Sequence, residues 1–250
     1  MPTATFRFYE ELNDFLPGQR RKRSFEYDCC ENATVKHAIE AIGVPHTEVE
    51  VILVNGESVG FSHPVCEGDR VSVYPVFESV NISPILRVRP EPLREPRFIA
   101  DAHLGRLAGY LRMLGFDTVY ENAIDDPALV DVAARQHRIV LTRDRDLLMH
   151  RAVTHGVYVR GRRPREQLEY LLDRLDLRAV LQPFTRCIRC NAILEDVPLS
   201  KVALQVPEDI AQRHRQFRRC TGCDQAYWPG SHYQRMRVFV ERLVSEPSKN

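Results

Sequence analysis

Eight residues have the types and spacings needed for chemistry: four aspartates and four cysteines. In RIVLTRDRDLL, residues 138–148, the apolar run Ile139, Val140, Leu141 passes through Thr142 into Asp144 and Asp146, two carboxylates two positions apart. Asp101 directly follows another apolar run, Phe98-Ile-Ala, and Asp126 stands in DDPALV, where a helical pattern begins. Carboxylates gathered in one place repel, by roughly 4 kcal/mol for two unit charges about 4 Å apart at an effective dielectric near 20. A hard divalent cation, Mg2+ or Mn2+, offsets that repulsion by taking carboxylate oxygens as ligands, and can then polarise a phosphoryl oxygen and activate water. Arg106, Arg112, Arg143 and Arg145 lie close in sequence as phosphate-holding groups. Each acid also has a structural role open to it: Asp126 as a cap before Pro127, Asp146 before Leu147, and Asp101 before the helix through Leu104.

The cysteines give a more specific pattern. Cys187-Ile-Arg-Cys190 and Cys220-Thr-Gly-Cys223 form two CxxC pairs separated by 29 residues. Each pair can fold into a knuckle offering two thiolates, which together make a closed, structural Zn2+ site. Arg186, Arg189, Arg213, Arg215, Arg218 and Arg219 crowd these knuckles. Tyr227, Trp228 and Tyr233 follow with faces on which bases could stack, although Trp228 could equally pack beneath the ribbon. His232 and His103 are read as structural, since a lone histidine more often satisfies local hydrogen bonds than catalyses. Cys29, Cys30 and Cys66 lack any such spacing.

The elements that must position these residues follow from periodicity. Residues 3–9, 24–28, 49–54 and 70–74 read as strands. Val35, Ala38, Ile39 and Ile42 fall at helical spacing, and Asn55-Gly56 marks a hairpin. Residues 83–96, SPILRVRPEPLREP, carry four prolines and cannot continue a helix, so a boundary is placed there. Beyond it the order alternates: strand 98–100, a helix through Leu104, Leu107, Ala108, Leu111 and Leu114 closed by Gly115, strand 118–120, a helix with Leu129, Val132 and Ala133 on its inner face, strand 139–141, a short helix, strand 156–159, and a helix opened by Pro164. Alternating strands and helices imply a parallel, helix-covered sheet, whose ligands bind beyond the carboxyl ends of the strands. Asp101, Asp144 and Asp146 stand at such ends.

Composition narrows the class. With 250 residues, 44% of them hydrophobic, the chain can build a packed core. No apolar run is long enough for a membrane span, and the first residues lack a signal-peptide layout, so a cytoplasmic protein with no membrane partner is expected. The formal charge of +1 hides a gradient of −4, +1 and +4 over residues 1–90, 91–180 and 181–250. A polyanion would therefore favour the C-terminal part. Arg accounts for 31 of the 35 basic residues, and its guanidinium forks onto phosphate through two hydrogen bonds.

Two resemblances add to this. VNGE and EGDRVSVYPV place the first domain close to the ubiquitin-like β-grasp fold, and especially to its small sulfur-carrier branch. Such carriers act through a free C-terminal Gly-Gly, whereas here the chain runs on through Pro75-Val-Phe. A docking role toward a protein partner is expected of the domain instead of sulfur transfer. The runs FIADAHLGRLAGYLRMLGFDT, DDPALVDVAARQHRIVLTRDRDLL, CIRC and CTGCDQAYWPGSHYQRM resemble the PIN-like ribonuclease domain named for the C-terminus of the Mut-seven exoribonucleases. That resemblance implies an α/β architecture: a ubiquitin-like domain at 1–82, a linker at 83–96, a PIN-like parallel sheet with flanking helices at 97–182, and a zinc ribbon with a C-terminal helix at 183–250. It also implies a metal-dependent ribonuclease, with catalytic Mg2+ or Mn2+ on Asp101, Asp126, Asp144 and Asp146, and RNA as partner. Asp125 could stand in for Asp126. The competing expectation is a non-catalytic RNA- or ribosome-binding adaptor.

Overall fold

The computed structural model describes residues 1–75, 87, 88 and 96–245, so most of the proline-rich spacer lies outside the described residues. The N-terminal part contains β1 (Thr3–Phe8), β2 (Phe25–Asp28), α1 (Val35–Ile42), β3 (Val51–Val54), β4 (Glu57–Ser58) and β5 (Arg70–Tyr74). They form a sheet in the order β2-β1-β5-β3-β4, with β1 and β5 parallel and the other neighbours antiparallel. The period-two pattern of β1 sends Ala4, Phe6 and Phe8 inward. They meet the buried face of α1, Val35, Ala38, Ile39 and Ile42, the four positions that the spacing selected. Thr34 starts α1 by accepting the His37 amide at 3.3 Å. Asn55 and Gly56, at φ +53° and +91°, make the primed turn between β3 and β4.

The alternating part follows in chain order. It has β6 (Phe98–Ala100), α2 (Gly105–Met113), β7 (Thr118–Tyr120), α3 (Asp126–Gln136), β8 (Ile139–Thr142), α4 (Arg145–Met149), β9 (Gly156–Tyr158) and α5 (Pro164–Arg174). β6 pairs with β7 and β8 with β9, both in parallel, and β6 and β8 are buried throughout. Continuous burial is what strands covered by helices on both faces require. The helix after β6 begins later than the leucine pattern suggests, because Ala102–Leu104 form a 3-10 turn before α2. The C-terminal part adds β10 (Leu194–Val197), α6 (Glu208–Arg213), β11 (Phe217–Cys220), β12 (Ala226–Tyr227) and α7 (Ser231–Ser245). β10, β11 and β12 form an antiparallel ribbon.

By their contacts these residues fall into two units. One holds Met1–Glu95 with Asp126–Tyr158, the other Pro96–Asp125 with Val159–Asn250. In the first, the ubiquitin-like fold and the β8–β9 pair are joined through buried polar groups. Glu48, 1% exposed, accepts the Tyr158 amide at 2.5 Å. His46 places Nδ1 2.7 Å from Glu40 Oε1 and Nε2 2.9 Å from the Val153 carbonyl oxygen. Both facing atoms are acceptors, so the imidazole joins two oxygens that would otherwise lose a donor. His46→Ala is expected to leave these acceptors unpaired and to lower stability by about 2–3 kcal/mol, read from urea denaturation. A change under about 0.5 kcal/mol would show that the contact is not used.

In the second unit α2 packs against α5 and β7. Phe239 of α7 lies 5.4 Å from the Tyr110 ring of α2 and 4.8 Å from the Arg165 guanidinium of α5. Among the described residues, no helix is long and apolar enough to cross a membrane.

Candidate functional site

Asp101 follows the last residue of β6 and is half-buried, and its side chain does not cap the turn after it. The sequence-level cap reading therefore fails for Asp101. Asp126 is the first residue of α3 and is exposed, so the preceding position is Asp125. At the end of β8 the cap falls on Asp144, not Asp146. Asp144 has extended backbone angles, and its Oδ1 accepts the Asp146 amide at 2.8 Å. Helix α4 accordingly starts at Arg145, two residues before the start that a cap at Asp146 requires. The Asp144 amide in turn donates to Thr142 Oγ1 at 2.9 Å. Asp144 and Asp146 thus share one exposed turn held from both sides. Within neither unit do three of these acids gather into one cluster among the described residues.

Two of the arginines expected near phosphate are committed elsewhere. Arg145 lies 5.1 Å above the Phe15 ring and 5.9 Å from that of Tyr158, and donates to the Phe15 carbonyl oxygen at 3.3 Å. The ubiquitin-like fold therefore grips the residue between the two acids. Arg112 is 5% exposed. It donates to the carbonyl oxygens of Thr118 at 2.9 Å, Ile188 at 3.1 Å and Arg189 at 2.8 Å. Arg106 and Arg143 are exposed and have no hydrogen bond or ion pair among the described residues.

The sulfur atoms of Cys187, Cys190, Cys220 and Cys223 all lie within 4.8 Å of one another. Two of the gaps, Cys187 to Cys223 and Cys190 to Cys220, are 3.6 and 3.3 Å. Four thiolates about 2.3 Å from a tetrahedral ion stand about 3.8 Å apart, so the group can hold a metal such as zinc. The backbone builds each half alike. Asn191 and Asp224, the residues just after each CxxC, take φ of +73° and +61° and close the two knuckles. Gly222 is required by close approach, because a Cβ there would stand 2.8 Å from that of Ala192. The amides of Gly222 and Cys223 point at the Cys220 sulfur at 3.4 Å.

Electrostatics inside this group are uneven. Burial pushes the Cys187 thiol up, but the Tyr227 hydroxyl, 3.0 Å from its sulfur, and the amides of Cys190 and Arg189 outweigh that and bring it down to about 7. Cys220 is pushed up to about 12, mainly by burial. Tyr227, expected as a stacking face, thus directs its hydroxyl to the four-cysteine group.

A second layer ties the first knuckle to the α/β part, and sequence reading missed it. Besides Arg112, Asn191 accepts the Thr118 amide at 3.0 Å and donates to Asp117 at 2.7 Å. Arg186 donates to the carbonyl oxygens of Gly115 and Asn191. The missed signal is Arg112 itself, four residues after Ala108 and on the apolar side of α2. Arg112→Ala is expected to strip one donor group from three carbonyls and cost about 3 kcal/mol or more. Thermal unfolding checks this, and an unchanged midpoint would contradict it.

A groove of about 1120 Å3 runs between the ribbon and the first turns of α7. Among the described residues four arginines line it, Arg186, Arg189, Arg215 and Arg218, against one acid, Asp196. Phe184, Trp228 and Tyr233 supply aromatic surface. Arg213 and Arg219 are not among its walls and pair with Asp209 and Asp224.

Comparison with known families agrees with this architecture. The family model described as Mut7-C RNAse domain matches residues 96–240, more than half of the chain, and Mut7-C ubiquitin matches residues 1–81. The chain belongs to the Mut7-C RNAse domain family. Its Mut7-C region carries the parallel strand pairs, the helices and the four-cysteine ribbon, and its Mut7-C ubiquitin region carries the β-grasp sheet. Among solved structures, the crystal structure of H. volcanii small archaeal modifier protein 1 is similar at 18% identity, covering 30% of this chain and 98% of that one, with a TM-score of 0.25. No curated protein matches.

Proposed function

We propose that this protein is a metal-dependent ribonuclease that hydrolyses RNA phosphodiester bonds, with the ribbon helping to hold the RNA. The observation that carries the reading is the Mut7-C RNAse domain match over residues 96–240, which includes all four candidate acids. Asp101 and Asp144 at strand ends, where α/β proteins bind ligands, support it.

In this reading Asp101, Asp126, Asp144 and Asp146 hold Mg2+ or Mn2+. Oxygen-rich, acceptor-only side chains suit those ions. A metal bound there supplies polarisation of the scissile phosphate and activation of water. The remaining roles belong to the chain. The Asp144 cap and the Phe15–Arg145 contact fix the acid turn, and Arg143 and Arg106 are available to hold phosphate oxygens. The expected products carry 5′-phosphate and 3′-hydroxyl ends. A cytoplasmic setting and a protein partner for the ubiquitin-like domain belong to the same proposal.

One observation favours a second reading, a non-catalytic RNA- or ribosome-binding adaptor: Asp144 is already employed as a helix cap. Incubating purified protein with single-stranded and structured RNA plus Mn2+ separates the two. Mn2+-dependent cleavage that Asp101→Asn removes supports the enzyme, while cleavage equal in wild type and variant defeats it.

A further inference from the structure

We infer that the groove beside the ribbon is a binding site for unpaired RNA, which stacks a base on its aromatic wall and fixes phosphates with its arginines. This rests on the ribonuclease reading for the identity of the nucleic acid, and names the surface that would hold it.

Three features of the groove carry the inference. The first is charge. Its walls hold four guanidinium groups and one carboxylate, and two of the arginines, Arg189 and Arg215, face no acid among the described residues. Arg189 donates to the Gln225 side chain at 2.6 Å, and Arg186 donates to two carbonyl oxygens with Asp117 3.9 Å away. Arg218 pairs with Asp196 at 2.8 Å. Arg215, Gln216 and His232 are groove residues with no partner among the described residues, and Arg215 and His232 are an exposed cation and an exposed imidazole. None of the described residues pairs with them.

The second feature is aromatic surface. Tyr233 packs against Phe184 with ring centroids 4.8 Å apart, and this pair forms one wall. Trp228 packs partly against the ribbon's apolar cluster and also lines the groove. Side-by-side cations and aromatic faces are the combination that holds single strands, since every base has a π-face and every linkage a phosphate. A base inside a duplex is already stacked on both sides and cannot present its face. The third feature is size. About 1120 Å3 exceeds the roughly 300–1,000 Å3 of small-molecule sites, and suits a polymer segment better than a metabolite.

Trp228 is the chain's single tryptophan, so its emission reports directly on this groove. The experiment titrates the zinc-loaded full chain, without added Mg2+ or Mn2+, with hexauridylate or with a short RNA duplex. It follows Trp228 fluorescence beside the anisotropy of labelled RNA. Hexauridylate is expected to quench Trp228 saturably and to bind at least about ten-fold more tightly than the duplex. Arg215→Glu should weaken binding about ten-fold and lower the salt slope by about 0.7 or more. Arg213→Glu, outside the groove, should change it less than about two-fold. Binding that leaves Trp228 emission unchanged, equal effects of the two reversals, or equal affinity for duplex would each overturn the inference. Cleavage with Mn2+ but no response at Trp228 removes the groove and keeps the ribonuclease. A Trp228 response without any cleavage keeps the groove and removes the ribonuclease.

Discussion

Serine in place of Cys220 is expected to abolish metal binding at the ribbon and to unfold it locally. Cys220 ends β11, its sulfur receives two amide hydrogens, and it is 1% exposed. Structural zinc contributes about 10–16 kcal/mol of apparent binding free energy in small domains, more than a three-stranded ribbon with a four-residue buried apolar cluster can replace. Metal analysis should fall from about one zinc per chain to none, and amide exchange in β10 and β11 should lose its protection. Retained zinc with unchanged protection would contradict the assignment. The same centre predicts a steep pH dependence. Both Cys220 and Cys223 are raised in the metal-free chain, chiefly by burial, so each carries a proton at neutral pH and must release it to bind zinc. Two released protons make zinc affinity rise at least about 100-fold per pH unit near pH 7, and fall by as much as pH drops. A competition titration against a chelator at pH 6 and pH 7 measures this.

Asn in place of Asp101 or Asp144 is expected to lower RNA cleavage by roughly 10³-fold, the scale on which active sites lose rate when a charge-stabilising group is removed. The Asp144 variant is the cleaner of the two. Asn caps helices as well as Asp does, so the amide of Asp146 keeps its acceptor while one negative charge disappears. Stability should therefore hold while activity is lost. Mn2+ at about 100 times its dissociation constant should stabilise wild type by about 2.7 kcal/mol and either variant by much less. Equal thermal shifts in all three would mean that these carboxylates bind no metal.

Much of this was legible because periodicity and special residues speak locally. Val35, Ala38, Ile39 and Ile42 had only one helical face to share, and Asn55-Gly56 only one turn to make. The CxxC pairs carry their own geometry, down to the left-handed Asn191 and Asp224 that follow them. What escaped depended on partners distant in sequence. Arg112 reads as a phosphate-holding group until the knuckle carbonyls, 76 and 77 residues on, are beside it. Arg145 reads as a phosphate ligand until Phe15 closes over it from 130 residues away. The cap moved from Asp146 to Asp144 because β8 ends one residue after the apolar run, at the buried Thr142, whose hydroxyl takes the Asp144 amide.

The most direct test of the ribonuclease account is a crystal of the zinc-loaded protein soaked in Mn2+ and measured at the manganese edge. The account predicts an anomalous peak at bonding distance from carboxylate oxygens of Asp101 and Asp144, lost in Asp144→Asn. Manganese absent from these side chains, in crystals of a protein that still cleaves RNA, would contradict it.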